Sequence, residues 1–320
     1  MLKSKDVAKE VLLAESRIRP HVRQTILEHS HYFSQLGPAA VYCKLENLQH
    51  TGSFKVRGAM NKLLSLSAEE LARGVVTAST GNHGAAVAFS LNKLGASGIV
   101  FVPNNAETNK VKLIERLGAE VRYFAEDNAD TECFAREFAE QRGMTYISPY
   151  NDPQVVGGQG TIGIELIRQL DAIEAVFVSL GGGGLISGIA GYLKFIHPHV
   201  QIIGCSPKNS QVMIQSLNAG KILDTPSLPT LSDATAGGLE SGAITFELCQ
   251  AFVDEYVTVT EDEIKESLRQ FIQTHQMLIE GSAAVAIASY LKMREHFAEK
   301  NIVIIICGAN ISLDTLKRII

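Results

Sequence analysis

The sequence is short of paired cysteines, basic charge and long apolar runs, and each shortage excludes a class of protein. None of its five cysteines stands in a Cys-x-x-Cys pair, which excludes a zinc ribbon and argues against a disulfide framework. With 29 basic and 34 acidic side chains, the net charge is −5, so no basic footprint for nucleic acid is present. The longest apolar runs, such as residues 302–307, are far too short to cross a bilayer.

The N-terminal segment also lacks the apolar core of a secretory signal, because charged residues interrupt it every few positions. Together with the unpaired cysteines, this predicts a reducing cytoplasm. The composition, 46% hydrophobic and 20% charged, is ordinary for a globular protein. A chain of 320 residues predicts about two domains or one large one.

Short β-branched runs alternate with helix-period segments from about residue 75 onward, which is typical of an α/β protein. Strands are predicted at 75–79, 98–103, 120–125, 144–149, 175–180, 201–206, 255–260 and 301–307. A polar, glycine-rich stretch at 151–160 precedes a predicted helix from Thr161, and residues 221–242 are predicted to be irregular. Continuous apolar strands between amphipathic helices indicate parallel sheets covered on both faces. We therefore expect ligands to bind in a cleft beyond the carboxyl ends of the strands.

Four consecutive glycines, Gly181–Gly184, directly follow one predicted strand and precede a helix. Their bare N–H groups and the positive end of the helix would bind a phosphate without help from a lysine. The alternative is a tight turn between strand and helix, in which each glycine costs about 1 kcal/mol relative to alanine. The spacing matches neither a Walker A motif nor G-x-G-x-x-G.

Three further stretches carry reactive side chains. Lys55 has apolar neighbours on both sides within Thr51–Ala59; apolar surroundings favour a neutral amine able to form a Schiff base. A solvated surface lysine is the common alternative, and Ser53 is a candidate helix cap.

Ser79–Gly84 (STGNHG) offers hydroxyls and an amide that suit a carboxylate or phenolate oxygen, although His83 alone is more often a packed structural residue. Ile306–Asn310 (ICGAN) contains Cys307, either a buried thiol or a polar partner for a ring nitrogen.

Together these stretches resemble the fold-type II enzymes that use pyridoxal 5′-phosphate (PLP), and most of all the serine/threonine dehydratases and serine racemases. The resemblance rests on a set of stretches that occur in the expected order and cover nearly the whole chain: KLENLQHTGSFKVRGA, STGNHG, GGQGT, GGGGL, VTEDEI and LIEGSAA. The resemblance implies a tryptophan synthase β-like fold of two α/β domains with a cofactor cleft between them. Residues 1–68 and 153–320 would form the large PLP-binding domain and residues 69–152 the small one. It also implies a homodimer with a small amino acid as substrate and no nucleic-acid or membrane partner.

The resemblance assigns roles to matching positions. Lys55 would bond covalently to the cofactor and remove the α proton of the substrate, Phe54 would lie against the cofactor ring, and Asn82 would hydrogen-bond its 3′ oxygen. The phosphate would lie on Gly181, Gly182, Gly183, Gly184 and Leu185, with Glu280 near the ring and Cys307 facing its nitrogen. The substrate carboxylate would be received by Ser79, Thr80, Asn82 and His83, with Thr80 also a catalytic candidate.

The implied reaction is β-elimination from an L-β-hydroxy amino acid such as L-threonine or L-serine, giving a 2-oxo acid and ammonia. A thiol has a reference pKa near 8.5, against about 3.9 for aspartate. Cys307 would therefore leave the ring nitrogen largely unprotonated, a weak electron sink that suits elimination better than transamination.

Departures from the family pattern leave alternatives open. Thr80 stands where serine racemases have a serine, and Thr131 stands where they have an arginine near the substrate. Ser206 and Val212 replace the carboxylates of their divalent metal site, so no metal is expected. Ala234 replaces a glycine that usually lies against the ring.

The chain ends at Ile320, without room for the regulatory domain of biosynthetic threonine dehydratases, which favours a degradative role. The alternatives are a serine racemase, a dehydratase of phenylserine, 3-hydroxyaspartate or a hydroxyectoine-pathway amino acid, and a non-catalytic amino-acid-binding protein.

Overall fold

A computed structural model of the chain describes residues 3–320 and confirms the α/β class. The helices are α1 (Ser4–Ile18), α2 (His31–Gln35), α3 (Lys55–Ser65), α4 (Ala68–Arg73), α5 (Asn82–Leu94), α6 (Thr108–Arg116), α7 (Asn128–Gln141), α8 (Pro153–Gln169), α9 (Gly184–Ile196), α10 (Val212–Ala219), α11 (Ile244–Phe252), α12 (Glu261–His275), α13 (Gly281–Met293) and α14 (Leu313–Ile319). The strands are β1 (Leu27–His29), β2 (Ala40–Leu45), β3 (Val75–Ala78), β4 (Gly98–Val102), β5 (Glu120–Tyr123), β6 (Thr145–Tyr146), β7 (Ala175–Ser179), β8 (Gln201–Pro207), β9 (Glu255–Val259) and β10 (Asn301–Ile306). None of the helices in this described part of the chain is long and apolar enough to traverse a lipid bilayer.

The strands form two sheets. The larger has six strands in the order β1-β2-β10-β7-β8-β9, all parallel except the edge pair β1–β2. The smaller has four parallel strands in the order β5-β4-β3-β6. Each run predicted from the sequence forms a strand, although β6 has only two residues, and the expected parallel arrangement is confirmed.

Helix α3 packs against the cores of both sheets. The strands of the smaller sheet all lie within residues 69–152, the segment predicted to form the small domain. The apolar cluster that covers them nevertheless includes Val56, Met60 and Leu63 from α3, while α3 also crosses α8 beside the larger sheet. The domain boundaries stay a prediction, and α3 connects the two layers.

Most of the glycine-rich stretch, residues 153–160, is helical, so the prediction that a helix begins only at Thr161 is wrong. Helix α8 begins at Pro153, and the Asp152 carboxylate caps it by accepting from the N–H groups of Gln154 and Val155 at 2.8 and 3.0 Å. A Cβ added at Gly158 would lie 2.5 Å from the Arg57 carbonyl oxygen. The glycines therefore serve the close crossing of α8 and α3 rather than a loop.

A cluster of buried charges fixes α3 against its neighbours. The Arg57 guanidinium lies 2.8 Å from Glu46 and 2.7 Å from Glu165, and Lys44 Nζ lies 2.6 Å from Glu165. All four side chains are fully buried. Because Lys55 lies two positions before Arg57, this cluster also sets the place of the candidate reactive amine.

Candidate active site

A cavity of about 730 Å³ lies where the carboxyl ends of β3, β7 and β10 approach one another, the region in which open α/β sheets bind ligands. Its lining includes most of the residues singled out from the sequence: Phe54, Lys55, Asn82, Gly181, Gly182, Gly183, Gly184, Leu185, Ala234, Glu280 and Cys307. Ser79, Thr80 and His83 are not among the lining residues.

Lys55 is the first residue of α3, and its amine lies in the cavity wall. Its Nζ donates to the Pro149 carbonyl oxygen at 2.8 Å. Burial lowers the pKa of Lys55 from 10.5 to about 8, although nearby acidic groups oppose the shift. The amine therefore loses its proton close to physiological pH and is partly neutral there, unlike a solvated surface lysine.

The turn before Lys55 is held by backbone contacts rather than by a cap. The Phe54 N–H donates to the Cys307 carbonyl oxygen at 3.1 Å, and Ser53 forms a β-bridge with Gly308. Ser53 does not cap α3, contrary to the sequence-based prediction, and its buried hydroxyl has no hydrogen-bond partner within residues 3–320. These contacts bring the reactive amine to the end of β10.

The glycine loop offers unpartnered donors to the cavity. Within residues 3–320, the backbone N–H groups of Gly181–Leu185 take part in no hydrogen bond, and Leu185 lies in the first turn of α9. Free donors together with the positive end of a helix form an anion site, so these residues fit a phosphate group. Packing also requires glycine, because a Cβ at Gly182 would lie 2.5 Å from the Tyr150 ring. The structure thus supports both interpretations of the loop, an anion site and a tight turn between strand and helix.

Asn82, Glu280 and Asn310 form a hydrogen-bonded network, of which Asn82 and Glu280 line the cavity together with Lys55. The Asn82 side-chain amide donates to both Glu280 carboxylate oxygens at 3.0 Å, and the Asn310 N–H donates to Glu280 Oε2 at 3.0 Å. The Asn310 amide also donates to Asn82 Oδ1. Burial raises the pKa of Glu280 to about 7, against the effect of these hydrogen bonds. Asn310 was given no role from the sequence, although it belongs to the ICGAN motif.

Cys307 follows β10 and is buried beside the reactive amine. Burial raises the pKa of its thiol well above the ordinary value, and the Glu280 carboxylate adds to the shift. The sulfur therefore keeps its proton and carries no charge.

The STGNHG loop packs beside the cavity, with Asn82 as its one lining residue within the part of the chain described. The buried His83 ring donates from Nε2 to the Ile147 carbonyl oxygen at 3.0 Å. Burial and the nearby Lys55 lower the pKa of His83 to about 3, which agrees with a packed, neutral histidine. The Ser79 hydroxyl accepts from the Gly81 N–H at 3.2 Å. Carboxylate binding by Ser79, Thr80 and His83 stays a prediction.

The positions that differ from the racemases have local partners of their own. The buried Thr131 hydroxyl donates to the carbonyl oxygens of Phe124 and Asp127 at 2.7 and 2.6 Å. The Ser206 hydroxyl donates to the Leu180 carbonyl oxygen at 2.8 Å, and Val212 begins α10. No group of three or more His, Cys, Asp or Glu side chains able to hold a metal occurs within residues 3–320. The absence of a metal stays a prediction.

Reasoning from the sequence missed one wall of the cavity, which is lined by Glu132, Arg136, Tyr150 and Glu240. The charged positions on α7 are visible in the sequence as ordinary residues of an amphipathic helix. Nothing in their spacing tells that this face of the helix points to the cavity rather than to solvent.

Comparison with known proteins adds independent findings. Residues 18–308 match the family described as pyridoxal-phosphate dependent enzymes. The chain is 39% identical over 307 residues to an L-threonine ammonia-lyase of Geobacter sulfurreducens, covering 96% of this chain and 76% of that protein. It is 38% identical over 312 residues to the catabolic L-threonine dehydratase TdcB of Escherichia coli strain K12, covering 97% and 94%. The structure of maize serine racemase superposes with a TM-score of 0.92 at 31% identity, covering 97% of this chain and 95% of that one.

Proposed function

This chain belongs to the pyridoxal-phosphate dependent enzyme family and uses pyridoxal 5′-phosphate, and from that premise we propose that it is a lyase acting on an L-β-hydroxy amino acid. The reaction removes the β-hydroxyl and the amino group of a substrate such as L-threonine or L-serine and yields a 2-oxo acid and ammonia. One observation carries this proposal: an amine of lowered pKa, Lys55, shares a cavity with the unpartnered N–H groups of Gly181–Leu185. Similarity to two proteins named as threonine-specific lyases supports the substrate class.

Different residues around the cavity would bind different parts of the cofactor. The N–H groups of Gly181–Leu185 would bind its phosphate, Lys55 would hold its aldehyde carbon, and Asn82 would meet its ring oxygen. When bound, PLP supplies the electron sink that makes the α proton of an amino acid acidic. The protein supplies position and electrostatics.

Lys55 serves as the general base once the substrate has taken its place on the cofactor. A general base is most effective when its pKa lies near the working pH, and burial brings the pKa of Lys55 to about 8. The neutral amine at Nζ accepts the α proton. The departing β-hydroxyl must also receive a proton, and the phosphate that Gly181–Leu185 would hold could supply one.

Cys307 and Glu280 tune the electrostatics of the site. The protonated Cys307 thiol offers no negative charge to a ring nitrogen, so it does not favour a protonated ring. Such a weak sink suits a substrate whose β-substituent leaves promptly. The Glu280 carboxylate, with a pKa of about 7, holds Asn82 in place through two hydrogen bonds.

Ammonia release with a panel of L-serine, L-threonine, phenylserine and 3-hydroxyaspartate tests the proposal. We expect the purified protein to be yellow and to release ammonia and a 2-oxo acid from at least one of them. Lys55→Ala should abolish both the colour and the turnover, because the covalent bond and the base are lost together. Lys62→Ala, on the same helix, is the matched control and should retain both. A colourless wild type that takes up no PLP would contradict the proposal.

Serine racemisation is the second candidate, favoured by the similarity to maize serine racemase. A racemase needs a proton donor on the opposite face of the carbanion, and Thr80 is the candidate for that role. Because Thr80 does not line the cavity and Thr131 is occupied by backbone partners, elimination is favoured. Chiral analysis of L-serine after incubation distinguishes elimination from racemisation. D-serine as the main product would make racemisation the favoured function.

We further propose a degradative role in the cytoplasm and a homodimeric assembly. The name of the Escherichia coli relative supports the catabolic role, and five free cysteines agree with a reducing compartment. Sedimentation of the holoenzyme would test the dimer.

A further inference from the structure

One face of helix α7 forms a wall of the cavity. Asn128, Glu132 and Arg136 all line it, and their spacing of four residues places them on one side of the helix. The same face includes Ala129 and Cys133. Two charged side chains of α7 thus line the cavity that also holds Lys55.

The Arg136 guanidinium is held by two carboxylates. Its Nη2 lies 2.7 Å from Glu132 on the same helix and 2.6 Å from Glu240, which also lines the cavity. The guanidinium carbon also lies 4.2 Å from the centre of the Tyr146 ring. Arg136 is therefore engaged before any ligand arrives.

Glu240 is itself fixed in place. Its second carboxylate oxygen accepts from the Asn151 amide at 2.8 Å, and its backbone N–H donates to the Tyr150 hydroxyl at 2.8 Å. Glu240 belongs to residues 234–241, which also line the cavity.

The charges of this wall do not cancel. One guanidinium faces two carboxylates, so Glu132, Arg136 and Glu240 together carry a net charge of −1. The charge of Glu132 is felt at Lys55, because Glu132 is one of the groups that oppose the lowering of the pKa of that amine. A substrate with a second carboxylate would have to bind against this negative wall, whereas a neutral side chain would not.

We propose that Glu132, Arg136 and Glu240 determine substrate specificity at the side-chain end of the cavity, admitting neutral β-hydroxy amino acids and excluding those with a second carboxylate. This inference rests on the proposed lyase function and narrows its substrate class to exclude 3-hydroxyaspartate. Specificity here is set by repulsion as well as by attraction.

Charge-changing variants of the holoenzyme test the proposal in both directions. The ratio of kcat/KM for 3-hydroxyaspartate to that for L-threonine is measured in wild type, Glu132→Gln, Glu240→Gln and Arg136→Met. Each glutamine variant makes the wall neutral, and we expect the ratio to rise at least about tenfold, the effect of roughly 1.4 kcal/mol. Arg136→Met makes the wall more negative and should lower the ratio. Glu140→Gln is the control, since this exposed residue of α7 lies outside the cavity.

The outcomes separate this inference from the proposed function. If both substrates lose activity together and the ratio stays constant in all variants, the three residues only brace the cavity and the inference is overturned, while the lyase function stands. A wild type that prefers 3-hydroxyaspartate to L-threonine also overturns it. If no amino acid of the panel releases ammonia, the proposed lyase function fails. The ratio of binding constants, followed by the change in cofactor absorption, then tests the charge argument alone.

Discussion

Removing the buried guanidinium of Arg57 is the sharpest test of how much the buried charge cluster around α3 stabilises the fold. Arg57 donates through Nε and Nη2 to Glu46 at 2.8 Å and through Nη1 to Glu165 at 2.7 Å. It also donates to the Thr161 hydroxyl at 3.1 Å. Arg57→Met keeps most of the volume and leaves the two carboxylates without this partner.

The expected loss follows from the burial of the pair. Removing one partner of a buried ion pair costs about 3–5 kcal/mol, because the remaining charge is left uncompensated. Unfolding entropy near 60 °C is about 2.1 cal/mol/K per residue, which for 320 residues comes to about 0.7 kcal/mol/K. Arg57→Met should therefore lower the unfolding temperature by about 4–7 °C.

Thermal unfolding followed by circular dichroism measures the effect, with Arg116→Met as the control. Arg116 is exposed at the end of α6, and its loss should change the free energy of unfolding by less than about 1 kcal/mol. Equal, small shifts for the two variants would refute the reasoning. They would mean that the cluster relaxes or admits water when its cation is lost.

Three further predictions follow from the same geometry. Burial opposes ionisation of Glu165, but Arg57 and Lys44 hold its pKa at about 2 rather than 4.5; its stabilising effect is therefore complete above about pH 4.5 and is lost as the pH falls through about 2. Denaturant titrations across this range should show a weaker pH dependence in Glu165→Gln than in wild type, and equal slopes would contradict this. Gly182→Ala, whose Cβ would lie 2.5 Å from the Tyr150 ring, should weaken PLP binding by tenfold or more, about 1.4 kcal/mol, in an absorbance titration of the apoenzyme; unchanged affinity would show that the loop yields. The rate at which the apoenzyme takes up PLP should rise through pH 8 as the Lys55 amine becomes neutral, whereas a midpoint near 10.5 would mean an ordinary solvated lysine.

Several features of the site were predictable because their signals are local. The glycine loop, Lys55 between apolar neighbours, and Cys307 after a β-branched run each stand at the end or start of an element that the periodicity predicts. Resemblance to a known family then joined them into one site. The wall of Glu132 and Glu240 was not predictable. A charged face of a helix such as α7 looks the same in sequence whether it meets solvent or a cavity, and Glu240 lies in a segment without regular structure.

The chain itself determined the alternation of strands and helices and the position of the bare glycine loop, since hydrophobic periodicity and the conformational freedom of glycine act over a few residues. Only the tertiary structure decided that residues 153–160 are helical, because their glycines serve a close crossing with α3 that involves distant residues. It also decided the pKa of Lys55 and the engagement of Arg136 by Glu240. Desolvation and charge pairing depend on which distant groups surround a side chain, and folding alone brings those groups together.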